Sequence, residues 1–154
     1  MDRLLGRYRF AVDSKGRMNI PARFRKVLSP KPETPIIVTR GLERSLVVFP
    51  LSQWEVEEAK LRDLPYEASD VRFYTREMAS HAMDTTLDKQ GRILLSREHR
   101  DWANIASEVL ILGVITRLEI FNPDVHEAYR STFKKSYEQV AEEVFRRRQG
   151  ERPE

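Results

Sequence analysis

Apolar and polar positions divide this chain into short alternating runs and longer helical stripes. Tyr8, Phe10 and Val12 alternate with Arg7, Arg9 and Ala11, the period of a strand with one buried face. The turn Asp13-Ser14-Lys15-Gly16 follows, and beyond it Met18 and Ile20 share one face while Arg17 and Asn19 take the other. Pro21 suits the first position of a short helix through Leu28, where its missing N–H costs nothing. Ile36–Thr39 and Leu46–Phe49 read as strands around a turn at Arg40 to Arg44. Ser52-Gln53-Trp54-Glu55 has the form of a capping box and predicts a helix start. Ser69 is a candidate cap for another helix, with Val71, Tyr74 and Met78 on one face.

The second half predicts strands near Thr85 to Leu87, Ile93 to Leu95, Val109 to Leu112 and Leu118 to Phe121. Asn122-Pro123 can cap and open a closing helix. Along it Val125, Tyr129, Phe133, Tyr137, Val140 and Val144 form one stripe. That stripe needs a cover, either the rest of the chain or a neighbouring subunit. Arg146-Arg147-Arg148 at its end suits the helix dipole.

The two halves repeat. Asp13-Ser14-Lys15-Gly16-Arg17-Met18-Asn19-Ile20 recurs 75 positions later as Asp88-Lys89-Gln90-Gly91-Arg92-Ile93-Leu94-Leu95. Gly41 to Phe49 matches Gly113 to Phe121 at an offset of 72, the difference falling in the Pro30–Pro35 connection of the first half. Two collinear matches indicate duplication, and two copies suggest a pseudo-symmetric pair whose halves complete one another.

Composition narrows the class. The chain has 154 residues, enough for one compact domain or two small ones. Leu, Ile, Val and Phe make up 41 of them, so a core can form. No apolar run approaches the ~18 residues of a membrane span. The start Met1-Asp2-Arg3-Leu4-Leu5 has no secretory pattern, and the absence of cysteine excludes disulfides and thiolate sites. The cytoplasm is the expected compartment. Net charge is only +3, yet residues 1–26 hold eight basic side chains against two acidic ones, while residues 51–80 hold four against seven. Such a gradient fits a polyanion-binding face, although a soluble surface rich in arginine would look the same.

No catalytic or metal motif appears. His81, His99 and His126 are scattered, and no phosphate loop, dinucleotide motif or nucleophile elbow is present. No cofactor is expected. Glu57-Glu58 and Glu142-Glu143 read as solvated helix faces. The duplicated turn instead delivers arginine. In Asp-x-x-Gly-Arg the aspartate can bond the turn's backbone, the glycine permits a positive φ, and the arginine leaves at the start of a strand. Its planar fork suits phosphate or the O6 and N7 edge of guanine. Alternatively Asp13 and Arg17, and Asp88 and Arg92, pair across their own turns.

The stretch from Asp13 to Arg25, with Thr39-Arg40-Gly41-Leu42 and Phe49-Pro50-Leu51-Ser52-Gln53-Trp54-Glu55, closely resembles the MraZ family. Leu87 to Ile93 and Leu112-Gly113-Val114 match its second half. The resemblance implies an α+β fold, mainly β, of two pseudo-symmetric swapped-hairpin SpoVT-AbrB-like barrel halves with flanking helices. The expected organisation is a first domain at 5–52, a helical connection at 53–80, a second domain at 81–124, an amphipathic helix at 125–149 and a frayed tail at 150–154. It further implies a nucleoid-associated transcriptional regulator, usually a repressor, that forms a closed ring and binds direct repeats in double-stranded DNA upstream of the division and cell-wall genes. Arg17 and Arg92 match the family's DNA-contacting arginines. Lys15 and Lys89 are phosphate contacts by charge, and Asp13, Gly16, Asp88 and Gly91 form the turns. The second half departs from the first, with Ser96 for Pro21, Glu98 for Arg23 and His99 for Phe24, and its local charge is weaker. Two other readings stay open: an antitoxin-like protein-binding module, and a structural ring without a nucleic-acid role.

Overall fold

A computed structural model describes residues 3–150. In chain order the first half contributes β1 (Leu4–Ala11), β2 (Arg17–Asn19), α1 (Ala22–Leu28), β3 (Ile36–Arg40), β4 (Leu46–Pro50), α2 (Leu51–Arg62) and α3 (Ser69–Ser80). The second contributes β5 (Met83–Thr85), β6 (Arg92–Leu94), α4 (Arg97–Trp102), β7 (Glu108–Ile115), β8 (Leu118–Phe121), α5 (Pro123–Arg130) and α6 (Tyr137–Arg148). The fold is α+β. The seven elements of the first half recur in the second in the same order, as duplication requires.

Six strands form an antiparallel sheet in the order β1-β7-β8-β4-β3-β5, and β2 pairs with β6 in a second, two-stranded sheet. Exchanging each strand for its repeat equivalent and reversing the order returns the same sheet. The first strand of each half therefore pairs in the other half: β1 along β7, and β5 along β3. In the β2–β6 pair Met18 faces Ile93, its own counterpart in the repeat. In the β4–β8 pair Val47 likewise faces its counterpart Glu119. A pseudo-twofold axis passes through both pairs.

The main core lies between these sheets and draws on both halves. Met18, Ile20, Phe24 and Leu28 pack with Ile93, Leu95, Ala103 and Ile105, and with Val38, Val48, Ile111 and Ile120 of the larger sheet. A second cluster of Ile37, Val47, Phe49, Trp54 and Met78 covers the opposite face beneath α2 and α3. The β3–β4 hairpin is tied to α4 by Trp102, whose indole donates to Ser45 O at 3.0 Å and lies between the guanidinium groups of Arg40 and Arg44.

Several expectations need correction. The helix near Ser52 begins at Leu51, with Pro50 as the N-cap and no side-chain cap. Strand β4 runs straight into it, so Ser52 already lies inside the first turn. Ser69 is likewise the first helical residue after Ala68. Glu57 is not a solvated carboxylate: its side chain is 14% exposed and accepts from Arg117 Nη2 at 2.7 Å, while Arg117 stacks on Phe49. Burial raises its pKa, but the Gln53 amide and Arg117 outweigh that and hold it below the ordinary value.

Residues from 124 onward form a separate compact unit. The single helix expected over 125–149 is two. Ser131, Thr132 and Phe133 turn their amides back onto Glu127, Tyr129 and Arg130, ending α5. Ser136 then opens α6 with a reciprocal capping box to Gln139. The expected frayed tail falls, at 151–154, outside the described residues.

The β7–β8 connection carries a strained residue. Ile115 has φ +78° and is 60% exposed, in a turn closed by Val114 N to Arg117 O and Thr116 N to Val114 O, both 3.0 Å. A β-branched side chain in that region costs on the order of 1–3 kcal/mol. Ile115→Gly should therefore stabilise the protein by about 1 kcal/mol and raise its thermal midpoint by roughly 2–4 °C. A lower midpoint in a melting experiment would show that the exposed side chain contributes more than the strain removes.

Candidate nucleic-acid interface

The two Asp-x-x-Gly-Arg turns have nearly the same geometry. In the first, Asp13 Oδ1 accepts from the amides of Lys15 and Arg17, each at 2.9 Å, and Oδ2 accepts from Arg17 Nε at 2.7 Å. In the second, Asp88 Oδ1 accepts from Gln90 at 2.8 Å and Arg92 at 2.9 Å, and Oδ2 from Arg92 Nε at 2.8 Å. Gly16 N donates to Asp13 O and Gly91 N to Asp88 O, both at 3.0 Å. Gly16 and Gly91 have φ of +91° and +77°, the left-handed region that favours glycine.

The β2–β6 pairing sets the turns side by side. Ile20 N donates to Gly91 O at 3.0 Å and Leu95 N to Gly16 O at 2.8 Å, so each half's backbone holds the other half's turn. Arg92 Nη1 also approaches Asp13 Oδ2, at 4.0 Å. Asp13 thus faces both arginines.

Of the two sequence readings for these arginines, pairing across their own turns is the geometry present. Pairing does not bury them: the side chains of Arg17 and Arg92 remain 37% and 24% exposed. The hydrogen bonds to the aspartates use Nε, so the terminal nitrogens can meet a further acceptor, although Arg92 Nη1 also faces Asp13. A guanidinium held by a fixed carboxylate loses less rotamer freedom on meeting a ligand. Lys15 and Lys89 are exposed on the same turns.

The Arg17 amide is the largest influence lowering the Asp13 pKa. Partial burial opposes it, the Arg17 guanidinium and Lys15 amide reinforce it, and the carboxyl is held at about 2. Asp88 is lowered in the same way, chiefly by the Arg92 amide. Because the folded value is depressed, this contribution to stability is complete above the ordinary carboxylate range. For Asp13 it is lost as pH falls from about 4 through about 2.

Two residues at this site escape a motif reading. Arg25 of α1 and Arg100 of α4 lie against the glycines of the opposite turns. The only signal in the sequence is their separation by the repeat offset of 75. The structure also joins two of the scattered histidines. His81 Nδ1 pairs with Glu98, and His99 Nε2 donates to His81 O at 2.6 Å. Among the described residues no group of three or more His, Asp or Glu is placed to hold a metal ion, and no helix is long and apolar enough to cross a membrane.

Comparison with known proteins agrees with this architecture. The family described as "MraZ protein, putative antitoxin-like" matches twice, over residues 4–77 and 78–148. The protein named Transcriptional regulator MraZ from Natranaerobius thermophilus is 40% identical over 140 residues, 91% of this chain and 95% of its own. Proteins of the same name from Thermoanaerobacter sp. (strain X514) and Carboxydothermus hydrogenoformans are also 40% identical, over 92% and 91% of this chain and 96% and 95% of their own. The duplicated turns, the exchanged outer strands and these matches over nearly the whole sequence lead to one conclusion: the chain belongs to the MraZ family.

Proposed function

We propose that this protein is a DNA-binding transcriptional regulator that reads double-stranded DNA with its paired turns. The observation that carries the reading is the placement of two arginine-bearing turns of the same geometry on either side of the β2–β6 ladder, with exposed lysines beside them. The relatives' shared name, transcriptional regulator, supports it. In this reading Arg17 and Arg92 contact base edges, Lys15 and Lys89 contact phosphates, and Asp13, Gly16, Asp88 and Gly91 keep the turns in shape. The protein acts in the cytoplasm, at the nucleoid, as a ring of subunits on direct repeats. There it represses the division and cell-wall genes together with its own.

A ring places several such turn pairs along one duplex, so contacts that are weak singly add through linkage. A bidentate arginine–guanine contact discriminates by about 1–3 kcal/mol. In a gel-shift assay with DNA from immediately upstream of its own gene, Arg17→Ala and Arg92→Ala should each reduce preference over a scrambled duplex by about 5- to 150-fold. Fold and assembly should persist. Each phosphate neutralised by the parent protein should add roughly 0.9 to the slope of log affinity against log salt. Undiminished preference in both variants would remove these arginines from the readout. A parent protein that shows no salt-sensitive retention on DNA would defeat the proposal altogether.

A further inference from the structure

Arg25 and Arg100 occupy equivalent places in the two halves and make equivalent contacts. Arg25 Nε donates to Ile20 O at 2.9 Å, and Arg100 Nε donates to Leu95 O at 3.3 Å. From there each guanidinium crosses the pseudo-twofold. A β-carbon on Gly91 would lie 2.3 Å from Cζ and Nε of Arg25. One on Gly16 would lie 2.8 Å from Nε and 2.9 Å from Cζ of Arg100. The loop of contacts is closed, because Ile20 N donates to Gly91 O and Leu95 N to Gly16 O. Both arginines are half-buried.

We propose that Arg25 and Arg100 are positioning residues for DNA recognition, each acting on the turn of the opposite half. Arg25 sets the Asp88–Arg92 turn, and Arg100 sets the Asp13–Arg17 turn. This rests on the nucleic-acid reading above. The chemistry requires arginine. A flat guanidinium fits over a glycine where no side chain has room, while its Nε–H stays in the plane to meet the carbonyl. Lysine supplies the same charge with neither the flat face nor the in-plane donor. A phosphate-contacting arginine would behave in the opposite way, since a phosphate accepts an ammonium as a point charge.

The test uses the full chain carrying Arg25→Lys or Arg100→Lys. Amide hydrogen exchange is followed by mass spectrometry in peptides covering 13–17 and 88–92. Arg25→Lys should accelerate exchange in 88–92 by about tenfold and leave 13–17 unchanged, and Arg100→Lys should do the reverse. On DNA from upstream of its own gene, Arg25→Lys should reduce preference over scrambled duplex when Arg17 is replaced by alanine. It should have no further effect when Arg92 is replaced, because the reader of that turn is already gone. The salt slope on scrambled DNA should not change.

Exchange that is uncrossed or unaltered overturns the proposal. So does an Arg25→Met variant whose salt slope on scrambled DNA falls by roughly 0.9, which would mark a phosphate contact. If both lysine variants fail to fold, the arginines brace the barrel as a whole and the proposal also fails. A parent protein that does not prefer its upstream DNA defeats the functional reading alone, and the exchange measurement then decides the brace by itself.

Discussion

Replacing Phe24 with alanine should lower the unfolding free energy by about 3–5 kcal/mol, read as a shift in the chemical denaturation midpoint. Phe24 is fully buried, meets Tyr8 edge-on at 5.5 Å, and has the Arg23 guanidinium 5.6 Å from its ring centre. It lies in the part of the core that both halves share, so a void there weakens the contact between them. The repeat equivalent, His99, is 2% exposed but polar, and its ring donates to His81 O. His99→Phe would restore the apolar bulk of the first half and leave that carbonyl without its donor, a cost of about 1–3 kcal/mol. A Phe24→Ala midpoint within about 1 kcal/mol of the parent would show that neighbouring side chains close the void.

The second large effect is expected at the turn glycines, where the two halves should differ. Alanine at either site takes a left-handed conformation that costs roughly 1–2 kcal/mol. What the new methyl group meets then decides the outcome. At Gly91 it meets the Arg25 guanidinium, the end of a side chain that can swing aside by giving up its bond to Ile20 O. At Gly16 it meets the backbone carbonyl of Leu95 at 2.7 Å, on the same residue whose amide bonds Gly16 O. That backbone cannot withdraw without breaking the cross-link between the halves. Gly16→Ala should therefore cost about 3 kcal/mol or more, and Gly91→Ala about 1–2 kcal/mol. Equal losses in paired denaturation curves would refute this steric account.

Much of this architecture was legible in the sequence because it is local or repeated. The alternation around Tyr8 and Phe10 marked β1, and the recurring Asp-x-x-Gly-Arg marked both turns and the duplication. The family resemblance implied swapped hairpins, but the pairing of β1 with β7 could not be read from periodicity, since alternation reports which face is buried and not which strand lies alongside. Glu57 read as solvated because its partner Arg117 lies 60 residues away. The break between α5 and α6 did have a local signal, Ser136 with Gln139, but the apolar stripe runs across it without a change of period. Arg25 and Arg100 gave only their charge and the repeat offset between them, because contact with a glycine leaves no mark on the residues nearby.

The exchange of outer strands sets an order on synthesis. β3 lacks the neighbour that covers its outer side until β5 has emerged, and β1 waits longer still, for β7 at 108–115. A nascent chain with only its first half outside the ribosome therefore presents β1 with no strand of its own half alongside, and β3 paired on one edge only, with β4. Maturation is expected as one late cooperative closure rather than as two successive ones, although the sequence is written twice.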